Sequence, residues 1–247
     1  MLLITTAVKH EVADFKRHLT VDLEVNLFPC RFFRGYLGHR QIGLLLTSIC
    51  PSTGALTAAL DSVCATSPID RVVLTGFAGA LAPEMQAGEL VLASHVLKEG
   101  EIVPGGIACS ERDRATVRQR LASLSIPWRE GIGVTCDHPL LLHQEKTAMA
   151  TASGAIMVDM ENATIATLLH ARGIPFAVVR SIFDPLELRF PQSLYGLVDA
   201  EGALQPKAGL DLVVKTPKDL LKLPQFARNS QKARRAIAKF LLALVVA

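Results

Sequence analysis

Aromatic side chains and ordered cysteine pairs are scarce in this sequence of 247 residues. Only 5% of the residues are aromatic although 50% are hydrophobic, so the core has to be built from Ala, Val, Ile and Leu. Aliphatic segments of that kind are typical of strands buried on both faces of a largely parallel sheet. The five cysteines are scattered without a C-x-x-C pair, which argues against a disulfide framework or a zinc site and favours a reducing compartment.

Strong charge and long apolar runs are also absent. The formal net charge of +3 is too small to indicate nucleic acid as a partner. No run reaches the ~18 apolar residues that a membrane-spanning helix needs, and the apolar start over 1–6 is too short for a signal peptide. We therefore expect a cytoplasmic protein that binds no nucleic acid and is not integral to a membrane.

Several catalytic signatures are missing as well. The chain contains no G-x-G-x-x-G, P-loop, G-x-S-x-G or H-E-x-x-H sequence. This argues against dinucleotide binding, NTP hydrolysis, serine hydrolysis and zinc proteolysis. None of the seven histidines has metal-ligand spacing, so we expect neither a metal nor a cofactor.

Strand and helix patterns alternate along the chain, which predicts an α/β fold. The predicted strands cover 2–7, 43–48, 71–75, 89–93, 131–135 and 176–182, and the predicted helices cover 9–19, 53–65 and 162–171. Ser52 or Thr53 is expected to cap the second of these helices. Residues 76–80 are predicted as a glycine turn. We expect a single domain over 1–247, with three α/β/α layers around a central mixed, mostly parallel twisted sheet. A basic helical segment is expected at about 208–247.

Three ordered segments carry the functional signal. The sequence Thr-Thr-Ala-Val-Lys-His-Glu-Val covers 5–12, Leu-Thr-Gly-Phe-Ala-Gly-Ala-Leu covers 74–81, and Val-Asp-Met-Glu-Asn at 158–162 precedes Pro-Phe-Ala-Val-Val-Arg-Ser-Ile-Phe-Asp-Pro at 175–185. In order and spacing they resemble the three signatures of the nucleoside phosphorylase/nucleosidase family (purine phosphorylase family 1). The resemblance covers 1–184, and within the family the motifs look closest to the branch that contains methylthioadenosine/S-adenosylhomocysteine nucleosidases. It implies a phosphorylase/hydrolase-like fold.

Downstream segments narrow the resemblance. Arg-Phe-Pro at 189–191 and Asp-Ala-Glu-Gly at 199–202 are similar to the hopanoid-associated phosphorylase branch, which removes adenine from adenosylhopane in hopanoid side-chain synthesis. The resemblance implies cleavage of the N-glycosidic bond of an adenine nucleoside, with adenosylhopane as the expected substrate. Two alternatives stay open within the family: a methylthioadenosine/S-adenosylhomocysteine nucleosidase and a phosphate-dependent purine nucleoside phosphorylase. A non-catalytic nucleoside-binding protein is the alternative of another class.

Three carboxylates supply the chemistry that breaking a purine–ribose bond needs. A purine leaves readily when N7 is protonated, and Asp184, at a predicted strand end, is the candidate general acid. By resemblance, Glu161 accepts hydrogen bonds from the 2′ and 3′ hydroxyls, Met160 packs on the sugar, and Glu11 positions and deprotonates water. Taken singly, the three carboxylates also fit an Asp-Pro turn, a first-turn helix acid and a solvated helix start.

The choice between water and phosphate depends on two positions. Phosphorylases of the family hold phosphate with an Arg and a Ser that flank the strand leading into the glycine turn. The matching residues here are Leu74 and Phe77, and neither side chain binds phosphate. The resemblance together with this departure favours hydrolysis by water.

Three departures concern the substrate. Phe77 and Phe183 stand where the family has serines, and Pro139 stands where the nucleosidases have an aromatic that stacks on adenine. We expect one of the two phenylalanines to take over that stacking, in a site reshaped for a bulkier or more apolar 5′ group. The other predicted substrate contacts are Ala78, Gly79 and Leu140.

The C-terminal segment is basic. Residues 215–239 contain eight Lys or Arg residues and one acid, Asp219. A basic amphipathic helix can contact an anionic membrane surface, whereas a solvated helix beside the core or a dimer contact explains the same pattern. We expect a homodimer by resemblance, and peripheral contact with the inner membrane surface remains open.

Overall fold

The computed structural model describes residues 1–188 and 221–246 of the chain. The strands are β1 (Leu2–Thr6), β2 (Thr20–Leu27), β3 (Cys30–Leu37), β4 (Arg40–Leu46), β5 (Arg71–Ala80), β6 (Leu90–Lys98), β7 (Ile107–Ala108), β8 (Trp128–Thr135), β9 (Met157–Asp159) and β10 (Phe176–Asp184). The helices are a 3-10 turn (Lys9–Val12), α1 (Ala13–Lys16), α2 (Thr53–Thr66), α3 (Glu111–Ala122), α4 (His143–Ser153), α5 (Asn162–Ala171) and α6 (Leu223–Val246).

The ten strands form one mixed sheet. Five strand pairs are parallel, namely β1–β4, β1–β5, β5–β10, β6–β8 and β8–β9. Five others are antiparallel: β2–β3, β3–β4, β5–β9, β6–β7 and β6–β10. The prediction of a mixed sheet is confirmed, but the prediction that most of its strand pairs are parallel is wrong. Two of the five antiparallel pairs belong to the β2–β3–β4 meander, of which the sequence analysis predicted only the last strand.

The centre of the sheet positions the site. β5 pairs in parallel with β1 on one side and with β10 on the other. β10 then pairs with β6, and β8 and β9 lead back to β5, so that these strands close a ring. Because β1, β5 and β10 run in the same direction, their carboxyl ends lie at one edge, where α/β proteins bind ligands.

Side chains of the central strands alternate between two cores, which gives the three predicted layers. Along β5, Val72 and Leu74 belong to the core that contains residues of α2 and α5. Val73 belongs to the opposite core, with residues of α1, α3 and α6. Both faces of the sheet are thus covered by helices, as the aliphatic composition predicted.

Several local predictions are confirmed and others are wrong. The helix over 162–171 matches α5, and Ser52 caps α2 by accepting a hydrogen bond from the amide of Ala55. The predicted helix over 9–19 is instead a 3-10 turn followed by four α-helical residues. The predicted turn over 76–80 is the end of β5, because Gly76 and its successors continue the pairing with β10.

The basic segment is described only in part. Its helix, α6, begins at Leu223, whereas 208–220 and the two downstream motifs at 189–191 and 199–202 lie outside the described residues. No helix within 1–188 or 221–246 combines the length and apolarity needed to cross a membrane. The extent of the domain, 1–247, stays a prediction.

Candidate active site

A cavity of about 600 Å³ opens at the carboxyl ends of β1, β5 and β10. All nine residues that the sequence analysis assigned to the site line it: Glu11, Phe77, Ala78, Gly79, Leu140, Met160, Glu161, Phe183 and Asp184. They come from five separate stretches of the chain. The structure therefore brings the predicted residues together, while their individual roles remain predictions.

Glu11 is held in place by three hydrogen-bond donors. Its Oε1 accepts from the amide of Phe77 at 2.7 Å. Its Oε2 accepts from the hydroxyl of Thr6 at 2.5 Å and from the amide of Val8 at 3.1 Å. The residue is only 5% exposed, so it is not the solvated helix-start carboxylate of the structural alternative. These bonds fix both oxygens at the floor of the cavity.

Glu161 faces a buried arginine. Nη2 of Arg180, a residue 1% exposed, lies 3.3 Å from Oε2 of Glu161. The guanidinium also donates to Oδ1 of Asn162, from Nε at 3.1 Å and from Nη2 at 2.6 Å. Burial raises the pKa of Glu161, and the charge of Arg180 opposes that rise. Arg180 therefore favours the ionised form of the carboxyl group that is predicted to hold the ribose hydroxyls, against the effect of burial.

The start of α5 is capped by a different acid, which leaves Glu161 free for the site. Asp159 Oδ1 accepts from the amides of Glu161 at 2.9 Å and Asn162 at 2.8 Å. Glu161 itself forms no side-chain cap. The acid that stabilises the start of the helix is thus Asp159, and the alternative explanation of Glu161 as a helix-start acid does not apply. The sequence analysis gave Asp159, Asn162 and Arg180 no role, although all three stand inside the quoted motifs.

Gly76 leaves room for the side chains of Glu11 and Arg180, which both pack against the backbone at this point of β5. Its φ of +140° is a conformation that L-residues rarely adopt. A Cβ at this position would lie 2.5 Å from Nη1 of Arg180 and 2.8 Å from Oε1 of Glu11. The glycine is therefore required by the packing of two charged side chains against the backbone.

We predict that Gly76→Ala lowers the free energy of unfolding by about 2 kcal/mol or more, because the new methyl group has no room and the backbone is strained. Gly54→Ala is the matched control, since no atom lies within 4 Å of its added Cβ and its φ is ordinary. Urea unfolding of both variants measures the difference. Equal stability of the two variants would contradict this packing.

Asp184 ends β10 beside an irregularity in the strand. The register between β10 and β5 shifts between Ile182 and Asp184, and such a bulge re-aims the side chains next to it. Consecutive residues of a regular strand point to opposite faces, whereas Phe183 and Asp184 both line the cavity. Burial raises the pKa of Asp184 to about 6, and the neighbouring Lys146 opposes the rise. This is the shift that a general acid working near neutrality requires.

A row of aromatic rings forms one wall. Phe77 stacks on Phe183, with ring centroids 5.3 Å apart and planes within 13°. Phe226 of α6 lies 6.1 Å from Phe183 in a tilted contact, and His10 meets Phe77 edge-on at 6.3 Å. The sequence analysis expected one phenylalanine to stack on the purine. The two predicted candidates stack on each other.

Leu74 and Phe77 stand at the positions where phosphorylases of the family are expected to bind phosphate. Leu74 is fully buried in the core, and the amide of Phe77 is occupied by Glu11. Within the part of the chain that the structure describes, no Lys or Arg lines the cavity. The described lining therefore lacks the Lys and Arg side chains whose charge-assisted donors phosphate binding uses.

One surface trio has the spacing of metal ligands. Glu99, Asp137 and His138 bring ligand atoms within 4.8 Å of one another. All three are exposed, and exposed acidic groups of this kind are common without an ion. Of the three residues, His138 is part of the described cavity lining, whereas Glu99 and Asp137 are not.

Comparison with known proteins gives a consistent picture. The model of the phosphorylase superfamily matches residues 2–193. The chain is 27% identical over 201 residues to a 5′-methylthioadenosine/S-adenosylhomocysteine nucleosidase of Exiguobacterium sp., covering 73% of this chain and 83% of the relative. A nucleosidase of the same name from Oceanobacillus iheyensis is 25% identical over 199 residues, covering 73% and 84%.

Solved structures share the fold. Futalosine hydrolase of Helicobacter pylori superimposes with a TM-score of 0.73 at 20% identity, covering 99% of this chain and 97% of that one. The 5′-methylthioadenosine/S-adenosyl homocysteine nucleosidase of the same organism, solved in complex with a substituted pyrrolidin-3-ol, gives the same score, identity and coverage. Since the family model spans well over half of the chain, this protein is a member of the phosphorylase superfamily.

Proposed function

We propose that this protein hydrolyses the N-glycosidic bond of an adenine nucleoside and releases adenine. The observation that carries the proposal is the single cavity that holds Glu11, Glu161 and Asp184, with an acid of raised pKa and a firmly held carboxylate in one chamber. The relatives named as nucleosidases support the same chemistry. They also support an enzyme rather than a non-catalytic nucleoside-binding protein.

The proposed reaction uses each carboxylate once. Asp184 donates its proton to N7 of the purine, and the bond between the purine and C1′ breaks with its electron pair moving to the base. Glu161 holds the ribose hydroxyls while positive charge develops on the sugar. A water molecule attacks C1′ and gives its proton to Glu11. The products are adenine and the free sugar. Glu11 then releases its proton to solvent, and Asp184 regains a proton from solvent.

The group at the 5′ carbon is proposed to be large and apolar, as in adenosylhopane. The cavity wall is dominated by apolar side chains from several elements, namely Ile49, Phe77, Pro139, Leu140, Leu141, Phe183, Leu223 and Phe226. Phe77 and Phe183 replace the two small polar residues of the family. An apolar wall gains free energy from burying hydrocarbon and gains none from a charged amino-acid tail.

The second candidate is a methylthioadenosine/S-adenosylhomocysteine nucleosidase, which the names of the curated relatives favour. Adenine release from three substrates decides between them: methylthioadenosine, S-adenosylhomocysteine, and an adenosine with a long saturated hydrocarbon on its 5′ carbon. We predict kcat/KM at least about 100-fold higher for the hydrocarbon substrate, since several buried methylenes each add binding energy. A preference for methylthioadenosine would establish the second candidate.

We further propose that α6 contacts an anionic membrane, where such a substrate would reside. Arg228, Lys232, Arg235 and Lys239 are exposed and spaced four, three and four residues apart, so they share one helix face. Phe226 and Ala227 of the same helix line the cavity. The basic face therefore begins next to the chamber proposed to receive the lipid-linked nucleoside.

The membrane proposal predicts binding to vesicles that contain phosphatidylglycerol but not to pure phosphatidylcholine vesicles. Arg235→Glu with Lys239→Glu should weaken that binding more than about tenfold, because each basic residue near an anionic surface contributes about 1 kcal/mol. Arg40→Glu with Arg112→Glu reverses the same number of exposed charges elsewhere and is the control. Co-sedimentation that does not distinguish the two variants would refute this contact.

We also propose a homodimer, which the family resemblance implies. Ile102 is 62% exposed and Val103 is 42% exposed in the single chain. We propose that a second subunit covers these two apolar side chains. Light scattering should give twice the chain mass of 26.6 kDa. The chain mass itself would reject the dimer.

A further inference from the structure

A buried lysine stands directly behind the proposed general acid. Lys146 is completely buried on α4. Its Nζ lies 2.7 Å from Oδ2 of Asp184 and donates to the backbone oxygen of Pro185 at 3.1 Å. Among the residues that the structure describes, Lys146 is not part of the cavity lining. It therefore contacts the acid from the protein side rather than from the substrate side.

We propose that Lys146 is the positioning residue of the general acid: it holds Asp184 through one carboxylate oxygen and through the backbone that follows it. The proposal rests on the role given to Asp184 under the proposed function and adds a residue that the family motifs did not indicate. Lys146 transfers no proton itself. It fixes the direction of the carboxylate and stabilises the anion that remains after Asp184 has protonated the purine.

The geometry explains why both contacts matter. The bulge between Ile182 and Asp184 interrupts the regular pairing of β10 where the acid stands. Beyond it, the bond from Lys146 to the oxygen of Pro185 ties α4 to the end of the strand. The same ammonium then binds the side chain of Asp184, so backbone and carboxylate are positioned by one group.

The second oxygen of Asp184 is left without help. Oδ1 is buried and has no hydrogen-bond partner among the described residues. A carboxylate solvated on one oxygen only retains its proton more readily than one with donors on both. Lys146 works against this effect, and the two together keep Asp184 able to hold a proton and able to give it away.

Among the residues that the structure describes, the other charged groups near Asp184 do not contact it. His143, one turn earlier on α4, lies near the oxygen of Leu186 at 3.3 Å and 3.8 Å from Glu187. On β5 the neighbour is Gly79, which carries no charge. Of the described groups, Lys146 supplies the charge that acts on the pKa of Asp184.

A purely structural ion pair is the competing explanation, and it makes a different prediction. A buried pair gives little net stability over apolar side chains of similar volume. If the pair were only structural, Lys146→Met would raise the pKa of Asp184 but leave kcat unchanged at a pH where the acid is protonated in both proteins. If Lys146 also positions the carboxyl group, kcat falls even at that pH.

The test compares Lys146→Met with Gln144→Met, an exposed position on the same helix. For Lys146→Met we expect kcat about 30- to 100-fold lower, with KM within about threefold of the unsubstituted protein, because the positioned acid and not the binding surface is changed. The alkaline limb of the kcat/KM profile should move to higher pH. Gln144→Met should behave like the unsubstituted protein in all three respects.

A titration without substrate separates this proposal from the proposed function. The carboxyl ¹³C signal of Asp184, identified by its loss in Asp184→Asn, should titrate at higher pH in Lys146→Met than in the unsubstituted protein. That result stands even if no adenine nucleoside is turned over. An unchanged carboxyl titration overturns the proposal, as does a fall in kcat with an unmoved pH profile. If Lys146→Met does not fold, Lys146→Arg must keep the profile while lowering kcat by less than the loss expected for methionine.

Discussion

Asp184→Asn is expected to lower kcat for adenine release by about 10³-fold, with little change in KM. Asparagine has nearly the same shape but has no acidic proton, so N7 of the leaving purine stays unprotonated, and a positioned proton donor contributes about 10²- to 10⁴-fold. Asp61→Asn is the matched control, because Asp61 is exposed, pairs with Arg172 and does not line the cavity. Adenine release followed by its ultraviolet absorbance measures both variants.

The pH dependence of the unsubstituted enzyme belongs to the same prediction. Asp184 has to carry its proton when substrate binds, and its pKa is about 6. The active fraction is therefore complete well below that pH and falls as the pH rises through it. We expect the alkaline limb of kcat/KM near pH 6, and its absence in the residual activity of Asp184→Asn. A limb that persists in this variant would assign the acid to another residue.

Glu11→Gln is expected to lower kcat by about 10²- to 10³-fold, because the amide cannot accept the proton of the attacking water. The three donors around Glu11 sharpen the expectation. They come from Thr6, Val8 and Phe77 and require an acceptor on both oxygens, whereas glutamine places a donor at one of them. The substitution therefore disturbs the position of the group as well as its basicity.

The control for Glu11→Gln is Glu24→Gln, which carries the same change on the exposed side of β2. Single-turnover adenine release with saturating enzyme isolates the chemical step from binding. An undiminished rate in Glu11→Gln would remove this residue from the mechanism.

The sequence was informative where function constrains several residues at once. The three motifs contain eight of the nine residues predicted for the candidate site, Leu140 being the exception, and the structure brings all nine to one cavity. The helix over 162–171 and a cap at Ser52 or Thr53 were predicted from equally local signals, and Ser52 is the residue that caps α2. In each case residue type, spacing and chain order agree.

Other features depended on contacts across long separations. Lys146 and Asp184 are 38 positions apart, and nothing in the pattern of α4 marks one lysine as buried. The strands β2 and β3 were missed because their half-buried alternation is weak. The segment at Gly76 was taken for a turn, since its glycine signals a special backbone but not the guanidinium that requires it.

Adenine release in phosphate-free buffer made with H₂¹⁸O is the most direct test of the central claim. If water attacks C1′, the sugar product gains one ¹⁸O atom at that carbon, and added phosphate changes neither the rate nor the product. The cavity without Lys or Arg in its described lining predicts this result. A sugar 1-phosphate, formed only when phosphate is present, would contradict the hydrolytic account and the role of Glu11.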